Sequence, residues 1–296
     1  MKTISTPTLA IEYFDHGSPQ DPPIVLSHGW PDSVRCWDQV WPSLVNAGFR
    51  VLIPALRGFS GTKFLKPEAP RTGELASLGR DLVDFVDALG LVKPVLVGHD
   101  WGARASANAV GLRPDLASAL VMISVGYGTN LPGQAISFTQ AKMYWYHWFM
   151  ATETGQAAIA NDREGFARHM WESWAPKGWF EEEEFTQTAK AFDNEDWTAI
   201  TLSSYQHRWG HGSQETHYPK EAAALAPPPQ VHIPTLMLHG ALDGASLPSS
   251  SEGKERYFEG VYERIVLDGV GHFPPREVPD LLAHHILKFL GTHCPS

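Results

Sequence analysis

Cysteine is nearly missing from this 296-residue chain. Cys36 and Cys294 stand far apart in sequence, which excludes the disulfide framework that staples small secreted domains. Long apolar runs are missing too. No segment approaches the roughly 20 residues a membrane-spanning helix needs, and MKTISTPTLAIEYFDHG lacks the apolar core of a secretory signal. A cytoplasmic protein with no membrane partner is the expectation. Positive charge is scarce: 23 Lys and Arg against 33 Asp and Glu give a formal net charge of −10. With no basic cluster to neutralise phosphates, nucleic acid is excluded as a partner. What remains is an ordinary globular composition, 43% hydrophobic and 19% charged, in a chain long enough for a substantial core.

The first half alternates short apolar runs with helical periodicity. LAIEYFD alternates like a strand, and PPIVLSHG and FRVLIP are continuous apolar runs of the kind buried on both faces. Between them Val34, Trp37, Val40, Trp41 and Leu44 recur at helical spacing and close on Gly48, which predicts one helix. A second stripe joins Leu75, Leu78, Leu82, Phe85, Val86 and Leu89, with Thr72 as the expected cap and Gly90 as the stop. PVLVGH, a helix of small residues and SALVMIS follow. Such alternation implies a parallel sheet covered on both sides.

From about residue 128 to 229 strand signals vanish, and aromatic-rich helical stretches such as AKMYWYHWFMA and GFARHMWESWAP replace them. The run Glu181 to Glu184 reads as a solvated helix start. This insert ends in AAALAPPPQ, whose prolines read as a hinge. Strands resume at IPTLMLHG and YERIVLDG before a terminal helix. The expected fold class is therefore α/β, a mostly parallel central sheet flanked by helices. Residues 1–127 and 230–296 form this core, and 128–229 form a helical lid over the carboxyl ends of the strands, where pockets in such sheets lie.

Three strand ends carry chemistry. Gly98-His99-Asp100-Trp101-Gly102 has the G-x-S-x-G pattern of a nucleophile elbow with Asp in place of Ser. Its glycines let a strained turn project Asp100 without a Cβ clash. HGALDG supplies Asp243 and DGVGHFPPRE supplies His272, so nucleophile, acid and base occur in the order Ser-type hydrolases of this pattern use. SALVMIS ends in Ser124 rather than an acid, which favours Asp243. His28 and His99 are expected to support the turns. His207 and His211 stand four apart without a third ligand nearby and read as lid or surface residues, so neither metal nor cofactor is expected.

His28-Gly29-Trp30-Pro31, the G-x-D-x-G elbow, and the late Asp and His together resemble the α/β-hydrolase superfamily. The likeness is to its aspartate-nucleophile branch of epoxide hydrolases and haloalkane dehalogenases, and it spans the whole chain. The resemblance implies a mechanism. A carboxylate is ionised at neutral pH and needs no base to attack an sp³ carbon. Asp100 would form an alkyl-enzyme ester, His272 would activate the water that hydrolyses it, and Asp243 would orient the imidazole. The backbone N–H groups of Trp30 and Trp101 would form the oxyanion hole.

The lid then distinguishes an epoxide from a carbon–halogen bond. YWYHWF resembles the first lid helix of epoxide hydrolases, which implies Tyr146 as one ring-opening acid, with Tyr144 as the register alternative. LSSYQHRW implies Tyr205 as the other. Trp30 stands where haloalkane dehalogenases carry a halide-binding Asn. Trp101, Tyr144, His147 and Trp148 are expected to line the substrate, and the Trp101 indole N–H is also a candidate halide donor. HDWGAR and YHWF are similar as well to haloacetate dehalogenases, matching Arg104, His147 and Trp148. Trp101, however, replaces the Arg with which that family grips a carboxylate, a loss of about 1.5–3 kcal/mol. In PALRGFSGT, Ala55 takes the place of an acid common among relatives, so Arg57 is expected to lack its usual partner, with an effect on stability or loop geometry rather than on the reaction.

The reading is an epoxide hydrolase that makes a vicinal diol from a small apolar substrate, in keeping with Trp145, Trp148, Phe149, Trp171 and Trp174 in the lid. A haloalkane or haloacetate dehalogenase using the same triad is the alternative, and a non-catalytic small-ligand-binding protein the remote one. A serine esterase is disfavoured by Asp100, and a homodimer is left open.

Overall fold

The computed structural model describes residues 1–131, 133–211 and 216–294. Among them nine strands form one sheet: β1 (Lys2–Ser5), β2 (Leu9–His16), β3 (Pro23–Ser27), β4 (Arg50–Pro54), β5 (Lys63–Phe64), β6 (Val95–His99), β7 (Ala119–Ile123), β8 (Thr235–Gly240) and β9 (Tyr262–Leu267). Their order is β1-β2-β4-β3-β6-β7-β8-β9, with β5 beside β2. From β4 to β9 every pairing is parallel; β1, β2 and β5 add an antiparallel edge. β6, β7 and β8 are buried throughout, as their Val, Leu and Ile content requires of strands covered on both faces. Two apolar cores, one on each side of the sheet, provide that cover. The larger continues from Leu96 and Met122 into lid residues such as Met170, Trp171 and Ile200.

Between β7 and β8 the described residues form helices from Phe138–Met143 to Pro219–Ala224 and no strand. No helix among the described residues is long and apolar enough to cross a membrane.

Three expectations need correction. The single helix over residues 34–48 is a 3₁₀ turn, Val34–Trp37, followed by a separate α-helix, Trp41–Asn46. Pro42 sits in the first turn of the latter, the one place where its missing N–H and bulky ring are tolerated. Thr72 does not cap the helix Leu75–Ala88. Its hydroxyl bonds Glu74, accepting from the Glu74 N–H and donating to the carboxylate. Arg57 is not unpartnered. Asp81, facing inward from that helix, holds it bidentately at 2.6 and 2.7 Å.

The elbow is built by close backbone approach. A Cβ on Gly98 would lie 2.1 Å from the Gly102 carbonyl oxygen, and one on Gly102 would lie 2.1 Å from that of Ser27. Neither backbone neighbour can yield without moving the helix Trp101–Leu112 or strand β3. Gly102→Ala is therefore expected to cost about 2 kcal/mol or more. Thermal melting checks this, and an unchanged midpoint contradicts it.

Candidate active site

Asp100 follows β6 and opens the helix Trp101–Leu112 at φ +50° and ψ −111°, a strained conformation for a side chain-bearing residue. Its carboxylate caps none of its own helix's N–H groups. Instead Oδ1 accepts the Trp30 backbone N–H at 2.9 Å. Oδ2 lies 3.8 Å from His272 Nε2, too far for a direct hydrogen bond. The two oxygens thus have different surroundings: one is held by an amide, the other faces the imidazole. Trp101 is the first helical residue, so its N–H is among those a helix start leaves without an intrahelical partner.

His272 follows β9 in a loop fixed from three sides. Its carbonyl accepts from His99 Nε2 at 2.7 Å and from the Ser124 hydroxyl at 3.0 Å, and its N–H donates to the Trp174 carbonyl at 3.0 Å. Its Nδ1 donates to Asp243 at 2.9 and 3.0 Å, which leaves the Nε2 lone pair turned toward Asp100. Burial works against the imidazolium, but Asp243 outweighs it and raises the His272 pKa above its ordinary value. Asp243 is correspondingly stabilised as an anion: burial opposes this, while His272, His239 and two backbone N–H groups from Ala245 and Ser246 hold its carboxyl far below the usual range.

His239, at the end of β8, is a member that sequence reading passed over. Its Nε2 is 3.3 Å from Asp243 Oδ2 and donates to the Ser246 carbonyl at 3.0 Å. The signal was its place four residues before Asp243. His28 and His99 sit beneath the turns, both pushed down to about 4 mainly by burial and hence neutral. His28 Nε2 accepts the Leu56 N–H while Nδ1 donates to the Gly29 carbonyl.

Aromatic side chains from the helices between β7 and β8 lie beside Trp30 and Trp101, next to Asp100. Trp101 Nε1 donates to Tyr205 Oη at 3.1 Å, so its indole N–H is already committed. Tyr146 lies almost parallel to Trp30 at 5.8 Å and edge-on to Tyr205 at 5.4 Å. Burial raises the pKa of both phenols, and the charge of Asp100 acts on both in the same direction. Tyr144 is tied down elsewhere, accepting from Asn130 Nδ2 at 3.1 Å beside the Ser246 hydroxyl. The Trp148 indole N–H donates to the Ala141 carbonyl and its ring packs on Trp209. His147 has a defined tautomer. Its Nδ1 accepts the Trp209 indole N–H at 2.8 Å, so the proton is on Nε2, which is buried without a partner among the described residues. Burial keeps this imidazole neutral.

His207 lies 3.8 Å from Glu74, and no group of three metal-ligating side chains occurs among the described residues.

The chain was compared with known proteins. The family profile of the α/β-hydrolase fold matches residues 22–276. Epoxide hydrolase A of Mycobacterium tuberculosis is 24% identical, over 98% of this chain and 96% of its own. A solved structure from Klebsiella pneumoniae, provisionally named an epoxide hydrolase, is 33% identical and superposes with a TM-score of 0.91 over 97% of this chain and 96% of its own. Potato epoxide hydrolase I, at 22% identity and a TM-score of 0.80 with 98% of each chain covered, shares the fold.

Proposed function

The chain belongs to the α/β-hydrolase family, and on that premise we propose that it hydrolyses an epoxide to a vicinal diol through an ester on Asp100. The observation that carries this reading is the hydrogen bond from the Trp101 indole to Tyr205. It occupies the N–H that a departing halide would need. It also uses a lone pair of the phenol, so the Tyr205 proton is free to point at the substrate. A retained oxygen requires a proton donor, and a leaving halide does not. The names of the M. tuberculosis and K. pneumoniae relatives support the same choice.

The chemistry follows from the two unlike oxygens of Asp100. Oδ2 attacks a ring carbon, the carbon–oxygen bond of the epoxide breaks, and the released alkoxide takes a proton from Tyr205, assisted by Tyr146. His147 Nε2–H, neutral and facing no protein acceptor, donates a hydrogen bond to the same oxygen. Water then attacks the ester carbonyl carbon while His272 Nε2 takes its proton. The negative charge develops on Oδ1, where the Trp30 N–H already sits and the Trp101 N–H joins it. Collapse expels the diol alkoxide, which recovers its proton from the imidazolium, and the remaining proton returns to the tyrosine. Residues 128–229 act as the cap that supplies both phenols.

Incubation with styrene oxide, a bromoalkane and fluoroacetate tests the reading. Diol from the first and no halide from the others is expected; halide without diol overturns it. Within the same assay Tyr205→Phe is expected to lower diol formation by about 10²–10⁴-fold. A loss below threefold would remove the phenol from ring opening.

A further inference from the structure

Among the described residues the arginine side chains withdrawn from solvent fall into two classes. Arg57 is held by Asp81, and Arg276 by Asp32 and Glu184. Arg104 and Arg208 have no such partner. They are 7% and 6% exposed, yet among the described residues neither has a carboxylate within 4.0 Å. Arg104 donates to the carbonyl and hydroxyl of Thr129, and among the described residues Arg208 reaches only the Ser204 hydroxyl, at 3.3 Å. Both Nε atoms are buried without an acceptor. Leaving a guanidinium out of water and out of an ion pair is costly, and doing so twice in one place is unusual unless an anion arrives from outside.

Their position ties them to the reaction. Arg104 is one helical turn beyond Asp100, and Arg208 lies over the Tyr205 ring, 4.8 Å from its centroid. Each depresses the pKa of the neutral His147, so both fields converge on the ring-opening side of the site. Burial and the charge of Arg208 bring Arg104 itself down to about 10. A third cation, Lys254, is 8% exposed and has no ion pair among the described residues. It lines a cavity of about 300 Å³ together with Thr129 and Tyr144, the residues that adjoin Arg104 and His147. The same cavity also carries Glu252, an exposed carboxylate 3.6 Å from Arg264, so the unpaired positive charge is that of Lys254 at the cavity and of Arg104 and Arg208 toward Tyr205, in a chain whose net charge is −10.

We infer that the substrate is an epoxide bearing a carboxylate, with the carboxylate seated on Arg104 and Arg208 while the ring meets Asp100. This rests on the reaction proposed above and adds the class of molecule that undergoes it. The body of the substrate lies among the lid aromatics, and its anionic end supplies the acceptors that the two guanidiniums lack. Asp100 is a carboxylate whose field Arg104 feels, though from beyond ion-pair range. A bound anion therefore adds to the positive site without taking the nucleophile's place.

The test compares terminal epoxy-alkanoates of increasing chain length with their neutral primary amides, and with styrene oxide, on the intact enzyme. The best acid is expected to exceed its amide about tenfold or more in kcat/KM, mostly through KM. Arg104→Gln and Arg208→Gln are each expected to cut that acid-to-amide ratio about tenfold. Butyrate, but not butyramide, is expected to compete with styrene oxide, a measurement that needs no variant. If amides and styrene oxide give diol while no acid is preferred and butyrate does not compete, the carboxylate site is wrong and the reaction stands. If no epoxide of any charge gives diol, the reaction itself is wrong.

Discussion

Asp100→Asn is expected to lower diol formation by on the order of 10⁴-fold or more while leaving thermal stability close to wild type. The isosteric amide keeps an oxygen to accept the Trp30 N–H, so the turn at φ +50° retains its anchor. What it lacks is the second, charged oxygen opposite His272. No other described carboxylate can replace that group. Asp243 is bonded to His272 and to the amides of Ala245 and Ser246, and it faces the far side of the imidazole. Asn is a better choice than Ala here, because a strained backbone at this position costs about 1–3 kcal/mol and the lost anchor would confuse folding with chemistry. Turnover within tenfold of wild type would exclude Asp100 as the nucleophile.

His272→Gln is expected to split the reaction. Attack by Asp100 needs no base, so one equivalent of substrate is still consumed. Hydrolysis of the ester does need one, and steady-state turnover falls about 10²–10⁴-fold. The ester should then accumulate, visible as intact protein heavier by one substrate molecule. Turnover lost with no adduct would show that His272 is required before the ester forms.

The pH profile of the wild-type enzyme follows from the same side chain. His272 must be neutral to take a proton, and Asp243 holds its pKa above the ordinary value of 6.5, so the hydrolytic step is expected to rise with pH through a midpoint above that value. Asp243→Asn should move the midpoint down. Stability runs the other way. A raised folded-state pKa contributes stability that is complete below pH 6.5 and is lost as pH climbs through the folded value. The depressed Asp243 carboxyl contributes at pH above its unfolded value and loses that contribution on acidification, and both describe one ion pair.

Asp100, His272 and Asp243 were legible because each sits at a strand end within two residues of glycine, where local sequence dictates backbone shape. The alternation of β3, β4, β6 and β7 with helices was legible for a similar reason, since strands buried on both faces must be continuously apolar. Features set by distant partners were not. Asp81 is 24 residues from Arg57 and no local pattern pairs them. Trp209 fixes the tautomer of His147 across 62 residues, and the absence of any acid beside Arg208 can be read only when every neighbour is in place. β1 and β5 were missed because a polar KTIS and a two-residue KF carry too little hydrophobic pattern to identify an edge.

The oxyanion loop also has a mechanical bond to the cap. Trp30 Nε1 donates to the Thr201 hydroxyl at 3.0 Å, and Trp171 Nε1 donates to the Pro31 carbonyl at 2.8 Å. Two consecutive residues of this loop, Trp30 and Pro31, are thereby fastened to two different helices of the insert, Trp197–Arg208 and Arg163–Trp174. Grafting the lid of another enzyme onto this core would thus disturb more than substrate choice. A chimera that did not restore both anchors would lose its hold on the Trp30 amide, and ester breakdown would slow even for substrates that still fitted.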